Sequence, residues 1–434
     1  MTTSLNRRMF LKTIIASGVL LLALASVALA LTLENGLTAA RPAAAVQIDV
    51  ADGDVGATAV AIAAGGGHTC ALTSAGGVKC WGQNSFGQLG DGTTVDRTAP
   101  VDVAGLQSGV IAVAAGGLHT CALTVAGGVK CWGLNAFGAV GAVTADSCGW
   151  ASSPCSTTPR DVVGLEAGIV AIAAGSNHTC AVTARGAAKC WGFGQDGQLG
   201  TAATDSCVGW GEPLPCSKTP VSVRGLRNRV KAIDAGVSHS CALIAKGGVK
   251  CWGSNWAGQL GDGTIRGHTQ PRNVVGLHRG ATWIAAGNWH ACAVITEGGV
   301  RCWGVGEEGQ LGVWPPNDIN PAPLDVAELG AEAGAVTAGG WHTCALTVEA
   351  RVRCWGLNTL GQIGDGTSDQ RFLPVDVLGL GSGVAAIEAG ELHTCAQTTA
   401  GRVKCWGSNQ FGQLGDGTTT TNSTTPVDVV GFGP

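Results

Sequence analysis

His68-Thr69-Cys70-Ala71-Leu72-Thr73, the turn Ser74-Ala75-Gly76-Gly77, and Val78-Lys79-Cys80-Trp81-Gly82 make up a unit that this 434-residue chain writes seven times. The other copies place their cysteines at Cys121 and Cys131, Cys180 and Cys190, Cys241 and Cys251, Cys292 and Cys302, Cys344 and Cys354, and Cys395 and Cys405, always at an offset of 10. Successive copies start 51, 59, 61, 51, 52 and 51 residues apart. One copy is too small to bury its own core, so neighbours must share it, and the chain reads as a repeat array. Each copy holds four runs suited to strands. In the second they are residues 100–103, 110–114, 119–124 and 129–132, separated by glycine-rich turns. No stretch after residue 33 carries a sustained helical apolar period.

The cysteine offset has a geometric consequence. Cys70 and Cys80 are symmetric about Ala75, so a hairpin through Ser74–Gly77 sets them opposite one another, at a separation a disulfide spans. The same pairing is expected in the other six copies. All 18 cysteines follow the apolar N-terminal run, which fits an oxidising compartment. Zinc is the rival reading, but a hairpin offers only His-x-Cys and one further Cys where a structural site takes four ligands. Two further pairs, Cys148 with Cys155 and Cys207 with Cys216, bound loops inserted after the Trp-Gly turn of copies two and three. Each loop holds one tryptophan, Trp150 or Trp210.

The N-terminus reads Asn6-Arg7-Arg8-Met9-Phe10-Leu11-Lys12, followed by an uncharged run to Leu33. Residues 1–30 fit an export signal of twin-arginine type, and the run 13–33 is also long enough to anchor the chain in a membrane. Residues 31–57 read as a linker and 58–434 as the repeat array. Either reading puts the array outside the cytoplasm, secreted, periplasmic or held on the outer side of the membrane. The net charge is −4, and the absence of a Lys/Arg run argues against a nucleic-acid partner.

Seven four-stranded antiparallel units that must hide their edges predict an all-β fold, a seven-bladed β-propeller with one disulfide per blade. The chain ends in Pro426-Val427-Asp428-Val429-Val430-Gly431, which reads as the first strand of a further unit. This predicts a ring closed by the C-terminal strand joining the first blade. The frame Ala-Gly-x-x-His-x-Cys-Ala-Leu, best seen at Ala115–Leu123, and Val78–Thr93 with its Cys-Trp-Gly-x-Asn-x-x-Gly-Gln-Leu-Gly-Asp-Gly-Thr, resemble the repeat of the regulator of chromosome condensation family. The resemblance covers about residues 58–434 and implies the seven-bladed propeller. A eukaryotic member of that family promotes nucleotide exchange on a small nuclear GTPase. Secreted bacterial propellers of this repeat type, one of them an inhibitor of β-lactamases, match the export reading more closely.

The recurring histidines (His68, His119, His178, His239, His290, His342 and His393) and tryptophans (Trp81, Trp132, Trp191, Trp252, Trp303, Trp355 and Trp406) occur in every copy, so they read as scaffold. The histidines are expected to hydrogen-bond the backbone of their own turns and the tryptophans to pack between blades. Gly192-Phe193-Gly194-Gln195-Asp196-Gly197 matches a dinucleotide fingerprint but lacks the βαβ setting, so it is a turn. His268 and His278 read as lone surface histidines. No catalytic, cofactor or metal set stands out, and the chain reads as a non-enzyme.

Function is sought where the copies differ. Ligand-binding candidates are the loop tryptophans Trp150 and Trp210; Trp289 and Trp341, which precede the recurring histidine on neighbouring copies; and Trp256 and Trp314. The resulting expectation is an exported, monomeric, non-catalytic propeller that binds an unidentified protein or cell-surface ligand through loops on one face. The alternatives are a guanine-nucleotide exchange regulator of a small GTPase and a secreted enzyme inhibitor.

Overall fold

The computed structural model describes residues 57–433 apart from positions 150, 151, 209–211, 317 and 420. The signal, anchor and linker readings for residues 1–56 lie outside the described residues, as do Trp150 and Trp210.

The repeat folds into seven antiparallel sheets, each built from one continuous stretch of chain and each ordered as the strands follow in sequence, except at the outer edges of two. In blade 1 the strands are Ala59–Ala64, His68–Thr73, Val78–Gly82 and Arg97–Asp102, from the axis outward. The central hairpin has the register read from the cysteine offset, with Cys70 opposite Cys80 and His68 opposite Gly82. The register recurs in the other six blades, where Cys121 faces Cys131, Cys180 faces Cys190 and Cys241 faces Cys251. Likewise Cys292 faces Cys302, Cys344 faces Cys354 and Cys395 faces Cys405. A disulfide closes each of these seven pairs. Cys148 is bridged to Cys155 and Cys207 to Cys216, so blades 2 and 3 carry two disulfides each rather than the expected one.

The expectation of uniformly four-stranded blades is corrected as well. Blades 2 and 3 have five strands. Their cysteine-bounded insertions fold back as hairpins, so Asp146–Cys148 pairs with a lengthened outer strand Ser153–Asp161, and Asp205–Val208 with Pro213–Ser222. Length in the insertion is taken up by adding sheet, which satisfies backbone groups that a free loop would leave to solvent.

Closure by the C-terminal strand is also overturned. Ser423–Asp428 is the outer strand of blade 7, with Asp428 opposite Lys404 and Val427 opposite Cys405, and blade 1 is completed by its own residues. The sequence reading phased the repeat one strand early. The Pro-Val-Asp-Val run belongs to the Trp-Gly strand before it: Asp102 lies opposite Lys79 and pairs with it at 2.8 Å. The ends meet instead through side-chain packing between blades 7 and 1 and one parallel bridge, Ala57 to Phe432.

Both faces of each blade are covered by neighbours, so the central strands are buried on both sides rather than alternating. Trp132 of blade 2 packs with Leu89 and Val103 of blade 1, and its indole N–H donates to the Gln88 carbonyl at 2.9 Å. The contact repeats at every seam and returns at closure, where Trp81 donates to the Gln413 carbonyl at 2.9 Å. Gly90 (φ +71°) makes it fit, because a Cβ there would lie 2.6 Å from the Trp132 indole nitrogen.

The strand order gives the disc two faces. The loop face carries the segments before each recurring histidine and those after each Trp-Gly. The turn face carries the tight turns such as Ser74–Gly77 and the connectors between blades, such as residues 103–109.

Candidate partner-binding face

At the loop face the recurring histidines form an interblade clasp. His68 Nε2 lies 2.8 Å from Thr120 Oγ1 of the next blade, and the Thr120 hydroxyl donates to the Gln88 carbonyl at 2.7 Å. The hydroxyl proton is thereby committed, so the imidazole Nε2–H donates to the hydroxyl. The same contact joins His119 to Thr179, His178 to Ser240, His290 to Thr343, His342 to Thr394, and His393 to Thr69 across the closure. This corrects the expectation that each histidine bonds its own turn. Burial pushes the imidazoles down, His68 to about 3 with His119 and His393 adding to the shift, and His119 and His393 to about 4. Neutral, enclosed imidazoles of this kind tie blades together.

One clasp is open. His239 of blade 4 meets Ala291 where the other copies supply Thr or Ser, and neither of its ring nitrogens has a hydrogen-bond partner. The irregular aromatic pair lies at this seam. Trp256 follows the Trp-Gly turn of blade 4, Trp289 precedes His290 of blade 5, and their ring centroids are 4.8 Å apart. Trp289 is half-buried and Trp256 is exposed. Trp314, 66% exposed, packs against Phe372 of blade 6 with centroids 5.2 Å apart, and Trp341 is half-buried on the loop of that same blade. The four described candidates thus occupy the loop face of blades 4, 5 and 6. Phe372 was missed because it sits in an outer strand that the sequence reading assigned to the following blade.

The inserted loops on blades 2 and 3 are held down at their bases. Cys148, Cys155, Cys207 and Cys216 are buried together with Phe86, Phe137 and Phe193. Near the axis, the Asp234 carboxylate accepts the Ala286 N–H at 2.8 Å and Thr337 Oγ1 accepts the Ala389 N–H at 3.0 Å. Glu391 sits between blade 6 and blade 1, its N–H donating to the Gly65 carbonyl, and desolvation raises its carboxyl to about 8. Asp91 accepts from Asn84, Thr93 and Arg97, so the Asp-Gly-Thr turns are internal clasps. His268 contacts Asp262 at 3.3 Å and is not alone. Among the described residues no group of three His, Cys, Asp or Glu side chains has an arrangement that would hold a metal ion.

Comparison with known proteins bears on this geometry. The regulator of chromosome condensation (RCC1) repeat matches residues 75–123, 126–182, 188–243, 246–294, 350–397 and 400–433. The chain is 31% identical over 363 residues to the ultraviolet-B receptor UVR8 of Arabidopsis thaliana, covering 82% of this chain and 78% of that one. It is 31% identical over 356 residues to the human E3 ubiquitin-protein ligase HERC2, 80% of this chain but 7% of that protein. It is 28% identical over 379 residues to a bovine secretion-regulating guanine nucleotide exchange factor, covering 80% and 77%. The crystal structure of Prp20p from Saccharomyces cerevisiae, reported with its binding to Gsp1p and histones, superposes with a TM-score of 0.70 at 21% identity, covering 87% and 88%.

These findings correct several expectations. The matched proteins are a plant receptor, mammalian proteins and a yeast protein, which overturns the likeness to a secreted bacterial type. With it go the export signal, the secreted, periplasmic or membrane-held location, and the exported surface-ligand scaffold as the leading function. Those readings rested on residues 1–33 and on the cysteine count. The bridges record that the pairs close and leave the class of partner open. Among the described residues no helix is long and apolar enough to cross a membrane.

Proposed function

The chain belongs to the regulator of chromosome condensation repeat family, and from that premise we propose that it regulates nucleotide exchange on a small GTPase, which it engages through the loop face of blades 4 to 6. As a member of this family it is a non-catalytic protein-binding module rather than an enzyme. The observation that carries the proposal is that Trp256, Trp289, Trp314 and Trp341, all departures from the repeat, gather on one face of adjoining blades. Aromatic side chains on a rigid platform give large contact area at small entropic cost. The 28%-identical exchange factor and the yeast propeller described as binding Gsp1p support a GTPase as the partner class.

Small GTPases loaded with a fluorescent GDP analogue provide the test. The chain at substoichiometric concentration accelerates release from at least one of them, and a folded Trp289→Ala/Trp341→Ala variant loses that acceleration. Release left at its intrinsic rate across a representative panel, with no complex on gel filtration, overturns the reading.

A further inference from the structure

The turn face of blades 3 and 4 gathers positive charge that the linear sequence disperses. Arg185 lies in the tight turn of blade 3, Arg224, Arg227 and Arg229 in the connector to blade 4, Lys246 in the tight turn of blade 4, and Arg279 in the connector to blade 5. Backbone hydrogen bonds bring these segments together. The Val230 N–H donates to the Gly186 carbonyl at 3.0 Å, the Ala245 N–H to the Arg229 carbonyl at 2.7 Å, and the Gly280 N–H to the Lys246 carbonyl at 3.2 Å. All six side chains are exposed, and none makes an ion pair among the described residues.

The rim of these two blades departs from the repeat in the same direction. In the other five blades the cation of the third strand pairs with an aspartate of the outer strand: Lys79–Asp102, Lys130–Asp161, Arg301–Asp325, Arg353–Asp376 and Lys404–Asp428. In blades 3 and 4 those aspartates are Ser222 and Asn273, so Lys189 and Lys250 face no carboxylate there. Arg229 adds a third departure. It holds φ +72° at a position where Gly109, Gly168, Gly280 and Gly383 take the same left-handed conformation, and Lys246 beside it holds φ +71°. Side chains in that region are strained and cluster at functional sites.

We propose that this patch docks a short acidic segment, a run of Asp and Glu, of a partner protein. Its placement on the opposite face takes it beyond the GTPase reading. Guanidinium forks suit carboxylates bidentately, and the patch is rich in arginine. Its surroundings limit the length of the ligand. Exposed Glu166 stands on the side of blade 2, and Glu297, Glu328, Glu332 and Glu349 on the turn face of blades 5 and 6. A duplex carries a charge about every 1.7 Å and would run from the patch onto these carboxylates. The chain as a whole is acidic, with a pI near 6.1, whereas a nucleic-acid-binding domain is basic. A segment of a few carboxylates ends before the fence.

Fluorescence anisotropy on the full chain tests this with a labelled peptide carrying four consecutive Glu/Asp residues, its Gln/Asn counterpart and a short duplex DNA. The acidic peptide binds at 50 mM salt and weakens at 200 mM, and the amide peptide does not bind. Arg224→Glu/Arg227→Glu/Arg279→Glu weakens binding at least tenfold, while Arg351→Glu, on blade 6, leaves it unchanged. If the triple reversal fails to fold, Arg227→Gln/Arg279→Gln serves, with a fall of several-fold expected. Undiminished binding by the folded variants overturns the proposal, as does no binding by the parent. Tighter binding of the duplex than of the peptide reassigns the patch to nucleic acid. Trp289→Ala/Trp341→Ala leaves peptide binding intact, so failure on one face is distinguishable from failure on the other.

Discussion

The single difference between Ala291 and the threonine or serine of the other copies decides whether the Nε2 of a buried imidazole has a hydrogen-bond partner. Six histidines donate to a hydroxyl of the next blade, and His239 has none. Ala291→Ser supplies the missing oxygen in the smaller of the two forms the repeat already uses, at a site 1% exposed. It is expected to raise the urea midpoint by about 1 kcal/mol equivalent, while Thr343→Ala, which strands His290, lowers it by about 1–3 kcal/mol. A midpoint that Ala291→Ser lowers would mean the seam has no room for the hydroxyl. The clasp also sets the response to acid. Burial holds the recurring histidines near 3 to 4 in the fold, whereas the unfolded chain protonates them near the ordinary 6.5. Their stabilisation is therefore complete above pH 6.5 and lost as pH falls toward 4, each histidine costing on the order of 1 kcal/mol per pH unit. Glu391, raised to about 8, acts oppositely, stabilising at low pH and losing that contribution as pH rises, but it is one group against seven. Urea midpoints at pH 7.5 and pH 5.0 check the sign, with a marked fall expected at pH 5.0 and a flat response excluding the clasp as the acid-sensitive element.

At the level of the element, the hairpin was the most legible part of the chain, because a ten-residue offset around a four-residue turn admits one register. Opening one bridge with Cys70→Ala/Cys80→Ala is expected to cost about 2–3 kcal/mol, read from urea unfolding without reductant. The outer strand was harder to assign. Pro100-Val101-Asp102-Val103 has the same composition whichever neighbour it joins, and only the three-dimensional pairing of Asp102 with Lys79 attaches it to the blade before it. The fifth strands of blades 2 and 3 were invisible for a related reason, since an insertion bounded by cysteines reads as a loop until its pairing partner is known. The loop-face tryptophans separate by exposure. Trp314, 66% exposed, is expected to tolerate alanine at under about 1 kcal/mol in stability while weakening partner binding at least tenfold. Trp256 covers the open seam against Trp289, so Trp256→Ala should lower both. A Trp314→Ala variant that binds as the parent does would remove Trp314 from the interface.

At the scale of the whole molecule the ring was readable from seven copies, but how it closes was not, because closure depends on the phase of a strand rather than on its presence. The charge on the turn face was hidden for another reason: Arg185 and Arg279 are far apart in sequence and come onto one face of the disc through two turns and two connectors joined by backbone hydrogen bonds. Each blade is a continuous stretch of chain, and the ends of the ring lie side by side, the Ala57 N–H donating to the Gly431 carbonyl at 2.9 Å. No blade then depends on its order in the sequence. Residues 57–433 permuted to begin in the connector between blades 1 and 2, with the old ends joined by a short Gly-Ser linker, should fold with nearly the parent urea midpoint, since the new break severs no strand pairing. A permutant opened between Gly82 and Arg97 separates the third and outer strands of blade 1 and should be clearly less stable, because their pairing then has to form between opposite ends of the chain. Had the C-terminal strand completed the first blade, the order would be reversed, with the joined ends strained and the first permutant the weaker one. Comparing the two midpoints therefore tests the closure itself, independently of any partner the disc binds.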